Sequence, residues 1–189
     1  MQPGPHVEEM EAAIRADGEG LRLLLDGEET RGRERLRDAV ERYRASWELA
    51  PPRSFGRLIG MLKAAIIEGD AGEAAAYAKR AVGEADSPPS HYVLAMAALV
   101  EGDDDAAARD ATGMREGSEA FGRAAEAIEA IAAHDELRYD AAVRAIVADF
   151  EEREEHLTGV RIADTALMLE RLAAARRMAV HPPSALMPA

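Results

Sequence analysis

The sequence predicts an all-α protein, a stack of about nine helices arranged as antiparallel pairs. Three observations predict this fold class. Alanine is frequent and aromatic residues make up only 4% of the 189 residues, a composition that favours closely packed helices. Apolar residues recur every three or four positions, as they do on one face of a helix. No segment alternates β-branched and polar residues in the way that is typical of a strand.

The first two helices are predicted to form an N-terminal pair within residues 7–50. The first helix is expected at about 7–25, and a polar loop over 28–31 follows it. The second is expected at about 33–49 and ends before Pro51-Pro52, because proline cannot continue a helix. One face of this second helix carries apolar residues at helical spacing: Leu36, Val40, Tyr43 and Trp47.

A repeat with a period near 33 residues divides the region of about 54–152 into three units. Each unit has a turn at its centre, and the three turns are Gly69-Asp70, Gly102-Asp103 and His134-Asp135. Apolar residues recur three, four and seven positions before each turn and again after it, which predicts helix, turn, helix. The residues expected to be most deeply buried are Leu62, Ile66, Leu99, Ile131, Val143 and Ile146.

The turns have the chemistry that such a unit needs. Glycine can adopt the left-handed conformation that ends a helix, and the following aspartate can cap the next one. Two helices in a period near 33 resemble the tetratricopeptide repeat, although its usual Trp, Gly and Tyr positions are not matched. The pattern therefore predicts a tetratricopeptide-like stack, with a C-terminal capping helix at about 161–180 and a tail at 181–189. The chain, residues 1–189, is interpreted as a single domain.

The charge of the chain favours some partners over others. The net charge is −13, which repels nucleic acid and attracts a basic protein. There is no cysteine, no apolar run long enough to span a membrane, and no signal peptide at the N-terminus. We therefore expect a cytoplasmic protein that binds a basic protein partner, without nucleic acid or a membrane. Its oligomeric state stays open.

No set of residues predicts catalysis, a metal or a cofactor. Glu152 and His156 are four apart, as on one helix face, but no Glu-x-x-His pair of a di-iron bundle accompanies them. The run 103–105 lacks the spacing of a calcium loop, and no Gly-x-Ser-x-Gly motif is present. The five histidines are expected at helix ends or in tails. We therefore predict that the chain is not an enzyme.

Two acidic clusters and one aromatic residue are the candidates for partner binding. The triplet at 103–105 is expected in the first turn of a helix, where the helix dipole favours negative charge. Trp47 has two interpretations, a core anchor or a binding hot spot. The arginines of the last helix, Arg171, Arg176 and Arg177, are interpreted as a solvated face. The predicted contacts are Asp103, Asp104, Asp105, Glu151, Glu152, Glu154, Glu155 and Trp47.

The last third of the chain carries a further pattern. An alanine- and leucine-rich helix over Leu169–Met178 is followed by Val180, Ser184 and Leu186-Met187-Pro188. This resembles the C-terminus of the immunity 49 family of bacterial polymorphic-toxin systems, with Met178 in place of the family's usual glycine. The resemblance implies an intracellular antidote that binds and neutralises a cognate toxin. The alternative is a regulatory adaptor or scaffold bound to a signalling or transcription protein.

Overall fold

A computed structural model describes residues 4–188, which form nine α-helices and no β-strand. The all-α fold class is therefore confirmed for this part of the chain. In chain order the helices are α1 (Pro5–Leu25), α2 (Glu29–Leu49), α3 (Gly56–Glu68), α4 (Gly72–Val82), α5 (Pro88–Glu101), α6 (Asp104–Met114), α7 (Glu119–Ala132), α8 (Glu136–Glu152) and α9 (Asp164–Ala174). None of the described helices is both long and apolar enough to cross a membrane.

The N-terminal pair packs closely because glycines face each other across it. A Cβ on Gly20 would lie 3.0 Å from the carbonyl oxygen of Gly32 and 2.8 Å from the Leu36 side chain. The predicted start of the second helix is wrong by four residues. The expected loop over 28–31 is almost all helix, and its first turn is supported by the ion pair between Arg33 and Glu29 at 2.7 Å.

Helices α3 to α8 pack in chain order, and short turns make neighbours antiparallel. In addition α5 contacts both α3 and α7, and these three helices form an inner row. The six residues that the repeat predicts to be buried are all at most 4% exposed. That prediction of the helix faces is confirmed.

The turns of the three units also follow the prediction, with one exception. Gly69 and Gly102 have φ angles of 109° and 79°, and His134 adopts the same left-handed region at 54°. Asp103 and Asp135 cap the following helices through their side chains. Asp70 does not cap α4; instead its own amide donates to the carboxylate of buried Glu68 at 3.0 Å.

The C-terminal part differs most from the prediction. The last helix is α9, much shorter than the expected 161–180, and the chain after it is a turn followed by irregular backbone. Helix α9 packs against α3, α7 and α8 instead of capping the end of the stack. Its residues 166–170 are all buried, so it needs neighbours on most of its sides. The chain returns to the inner row through residues 153–163, which we call the connector.

Candidate functional site

In the first predicted acidic cluster, residues 103–105, two of the three carboxylates bind groups of the protein itself. The Asp103 carboxylate accepts a hydrogen bond from the amide of Ala106 at 2.9 Å and so caps α6. Asp104 binds the Arg176 guanidinium and the Nε2 atom of His134, the latter at 2.9 Å. Burial opposes ionisation of Asp104, but these hydrogen bonds hold its pKa below the usual value. Of the three carboxylates, only that of Asp105 is exposed and has no described partner.

Arg176 corrects the interpretation of the C-terminal arginines as a solvated face. Its side chain is only 9% exposed. Besides Asp104, it donates to the carbonyl oxygen of Leu99 at 3.1 Å. Arg176 therefore ties the end of the chain to the turn between α5 and α6.

The second predicted cluster lies where α8 ends. Helix α8 ends at Glu152, so Glu154, Glu155 and His156 belong to the connector, and Glu152 and His156 do not share a helix face. Glu151 accepts a hydrogen bond from the Ser184 hydroxyl at 2.7 Å. Glu152, Glu154 and Glu155 are exposed and form no ion pair with any described residue.

The arginine within this second cluster is turned inward. The Nε atom of Arg153 donates to Asp149 at 3.0 Å, and its guanidinium lies 3.8 Å above the Phe150 ring. Its charge is therefore used locally and does not neutralise the glutamates. Leu157, two residues after Glu155, is 74% exposed. We call Glu151, Glu152, Glu154, Glu155 and Leu157 the acidic connector surface.

The two acidic clusters lie near opposite ends of helix α8. His134, bound to Asp104, stands just before α8, whereas Glu151 stands at its far end. At 1.5 Å per residue the helix separates them by about 25 Å. Stacking therefore does not bring the two clusters onto a shared side.

Trp47 packs against the body of the protein. Its ring stacks on that of Phe55 with centroids 5.7 Å apart, and it is partly buried against the core. This position agrees with a core anchor, and its predicted contact with a partner stays a prediction.

A cavity of about 220 Å³ lies beneath the connector. Its walls come from α3, α5, α7, the end of α8, the connector and the start of α9. Most of the lining is apolar or aromatic: Ile59, Ala120, Phe121, Ala124, Phe150, Leu157, Val160 and Ile162. The polar lining consists of Lys63, Tyr92, Arg153, His156, Thr158, Asp164 and Thr165.

Two side chains of this cavity have buried polar atoms without a partner. The Tyr92 hydroxyl makes no hydrogen bond of normal geometry to any described residue, although the Thr165 side chain lies near enough to oppose the rise of its pKa. Neither ring nitrogen of His156 makes a hydrogen bond to a described residue. Tyr92 is only 4% exposed, and burial raises its pKa. The His156 ring lies beside that of Phe150, with centroids 5.9 Å apart. Buried polar groups in proteins are usually hydrogen-bonded, so three such atoms on one small cavity indicate a site that accommodates a polar molecule.

A partly buried charged cluster adjoins the cavity. Lys63 donates to Asp164 at 2.8 Å and to the Thr165 hydroxyl at 3.1 Å. On the other side of these residues, Asp17 accepts a hydrogen bond from the Tyr43 hydroxyl at 3.0 Å. Burial and the neighbouring Asp164 carboxylate raise the pKa of Asp17 to about 7, although Lys63 and Tyr43 act in the opposite direction.

The sequence reasoning missed this polar centre, although part of it leaves a signal. Lys63 is the only charged residue in the apolar run 58–67, and Asp17 lies on the buried face of α1. A charge at such a position requires a partner in the fold. Tyr92 and His156 leave no comparable signal, because the first lies in an alanine-rich helix and the second among exposed glutamates.

Other clefts in the described part of the chain have polar groups that already pair with each other. The cleft of about 300 Å³ between α2, α3 and α4 contains the Arg37–Glu68 ion pair, and Arg44 lies 4.1 Å above the Tyr77 ring. The cleft of about 460 Å³ beside α9 contains Glu170, which binds Tyr139 at 2.6 Å and the amide of His181 at 2.7 Å. No three acidic or histidine side chains of residues 4–188 converge as metal ligands would.

Comparison of the chain with protein-family models, curated proteins and solved structures gives no match. The function is therefore argued from the geometry of these sites.

Proposed function

We propose that the chain binds a basic protein partner through the acidic connector surface. The observation that carries this proposal is the group of four glutamates at the end of α8, whose interposed Arg153 is held by Asp149. In a chain of net charge −13, such a group attracts a basic surface from a distance.

The mixture of apolar and charged side chains on this surface suits a protein partner. Leu157 offers an exposed apolar side chain beside charged ones, and interfaces commonly place an apolar anchor within a polar rim. Glu152, Glu154 and Glu155 differ from Asp103 and Asp104, whose carboxylates are used within the fold. Of the acidic residues predicted as contacts, we therefore keep the second cluster, while a contact with Asp105 stays a prediction.

The more specific form of the proposal is a cytoplasmic immunity protein that neutralises a basic toxin. It is supported by the C-terminal resemblance to the immunity 49 family. Contacts among α3, α5 and α7, together with the repeat of about 33 residues, support a tetratricopeptide-like stack as the scaffold. A helical scaffold of this kind presents its surfaces without needing a catalytic centre.

Charge reversal tests the proposal on a partner captured from the native host. Glu154→Lys/Glu155→Lys should slow association by at least about tenfold at low salt, because steering contributes a factor of about 10 to 1,000. The control is Asp26→Lys/Asp70→Lys, which changes the net charge equally. Its two exposed aspartates follow the ends of α1 and α3, which lie on the side of the molecule away from the end of α8 because neighbouring helices run in opposite directions. Association rates measured across a salt series give the comparison.

A partner that associates with both double variants at the wild-type rate would contradict the proposed surface. Coexpression with any toxin domain found to be encoded beside the gene tests the immunity role separately. Wild-type protein should restore growth, and Glu154→Lys/Glu155→Lys should restore it less. Capture of a sensor kinase or transcription factor in place of a toxin would favour the adaptor.

A further inference from the structure

We propose that the cavity beneath the connector is a binding site for a small neutral molecule with one aromatic or heteroaromatic ring and a hydrogen-bonding substituent. This site shares Leu157 with the acidic connector surface, but its polar atoms belong to other residues and it does not depend on the proposed partner.

The polar atoms that the cavity offers are those of Tyr92 and His156. A tyrosine hydroxyl can donate and accept, and a neutral imidazole has one donor and one acceptor nitrogen. None of these atoms is bonded within the described structure. By contrast, the buried hydroxyls of Tyr43 and Tyr139 both donate to carboxylates, at 3.0 and 2.6 Å. The fold thus satisfies its other buried tyrosines and leaves Tyr92 available to a ligand.

The charges around the cavity favour a neutral ligand. The Lys63 ammonium is paired with Asp164 at 2.8 Å, and the Arg153 guanidinium is paired with Asp149. An anion would compete with these carboxylates for the same cations. A cation would find the carboxylates of Asp164 and Asp149 already paired with Lys63 and Arg153. The remaining donors and acceptors match a neutral group such as an amide or a phenol.

The size and the walls of the cavity favour a single ring. Its volume of about 220 Å³ exceeds the roughly 150 Å³ of an engineered cavity that binds benzene. The rings of Phe121 and Tyr92 meet edge to face at 5.4 Å, and Phe150 lies beside His156. A flat ring between such walls gains offset-stacked or edge contacts while its substituent reaches the polar atoms.

Binding of four related probes tests the chemistry of the site. Benzamide is neutral and hydrogen-bonding, toluene lacks the polar group, and benzoate and benzylammonium carry opposite charges. Titration of the full chain, followed by NMR, should show benzamide binding with a Kd on the order of 1 mM, as expected for so small a ligand. The three other probes should bind at least about tenfold more weakly. Shifted amides should map to residues 92, 121 and 153–165.

Two variants test the assigned polar atoms. Tyr92→Phe and His156→Phe keep a ring at each position and should each weaken benzamide binding by about 2- to 12-fold, the loss of one net hydrogen bond. Toluene binding should not weaken. Tyr77→Phe is the matched control, because its hydroxyl binds Glu48 at 3.0 Å outside the cavity. Benzamide binding should be unchanged in that variant.

A stability readout separates a ligand site from a structural role. Tyr92→Phe should keep the melting temperature of the wild type or raise it, because no hydrogen bond is lost. Tyr43→Phe should lower it, because the buried Asp17 carboxylate loses its donor. The proposal is overturned if no benzamide binding is seen at about 10 mM, tenfold above the expected Kd. It is equally overturned if toluene binds as well as benzamide, or if neither variant weakens benzamide binding.

Discussion

Buried tyrosine–carboxylate pairs connect distant parts of the chain. Tyr43 on α2 binds Asp17 on α1, and Tyr139 on α8 binds Glu170 on α9. Glu170 also accepts hydrogen bonds from the amides of Val180 and His181, so it orders the segment after α9. In an alanine-rich core with few large side chains, such pairs specify which helices meet.

Replacement of Asp17 tests the raised pKa. Asp17 is 7% exposed, and its pKa is about 7 in the folded protein against 3.8 as the reference value. Between about pH 4 and 7 the folded state holds a proton that the unfolded state has released, so the wild type loses stability as pH rises. Asp17→Asn removes this loss. The stability of the variant minus that of the wild type should therefore be about 2 kcal/mol greater at pH 8 than at pH 5.

Chemical denaturation at several pH values measures this difference. Asp26→Asn provides the control, because Asp26 is exposed and makes no described side-chain hydrogen bond. Parallel stability profiles for Asp17→Asn and the wild type would show that Asp17 is ionised throughout, contrary to the structure.

At the scale of helices and turns, the sequence identifies an element well where one residue type has a unique conformational role. Gly69 and Gly102 mark helix ends because both need a positive φ, and Pro88 begins α5. The start of α2 and the end of α9 lack such markers. Helix α2 begins among charged residues that serve a loop or a helix equally well, and α9 stops within an alanine-rich run. The packing of the rest of the chain decides those boundaries.

Two glycine-to-alanine substitutions isolate the effect of φ at a turn. A Cβ on Gly102 or on Gly72 would meet no atom within 4 Å, so neither substitution causes a clash. Gly102 has a φ of 79°, and Gly102→Ala should cost about 1 kcal/mol of stability. Gly72 is helical, and Gly72→Ala should stabilise by up to about 1 kcal/mol. Thermal and denaturant unfolding give both values, and equal effects of the two substitutions would refute the assignment of the turn.

At the scale of the whole molecule, no local sequence pattern predicts that the connector and α9 bring the chain back against α3 and α7. Periodicity predicts which face of a helix is buried, but not which neighbour covers it. The pairing of Lys63 with Asp164 spans about a hundred residues, and that of Asp104 with Arg176 more than seventy. The Lys63–Asp164 pair forms part of the wall of the cavity, which explains why the polar residues of the cavity could not be assembled from the sequence.

The contact between Arg176 and Asp104 should therefore stabilise the whole stack. Arg176→Ala removes a nearly buried guanidinium and leaves Asp104 and the Leu99 carbonyl with fewer donors, so it should cost roughly 2–3 kcal/mol. Arg171→Ala is the control, because Arg171 is exposed and 3.8 Å from Glu29, and it should have no measurable effect.

A double-mutant cycle with Asp104→Ala separates this pair from general effects of removing an arginine. The coupling energy between Arg176 and Asp104 should be at least about 1 kcal/mol, since the two groups share a partly buried ion pair. Hydrogen exchange should quicken together at the amides of Asp103 and Met178, which flank the contact from its two sides. Exchange that quickens only after residue 174 would show that the end of the chain detaches without loosening the turn between α5 and α6. The chain end would then be a passive cover over the inner row, and Asp104 would be free to serve the partner-binding role that the sequence predicts.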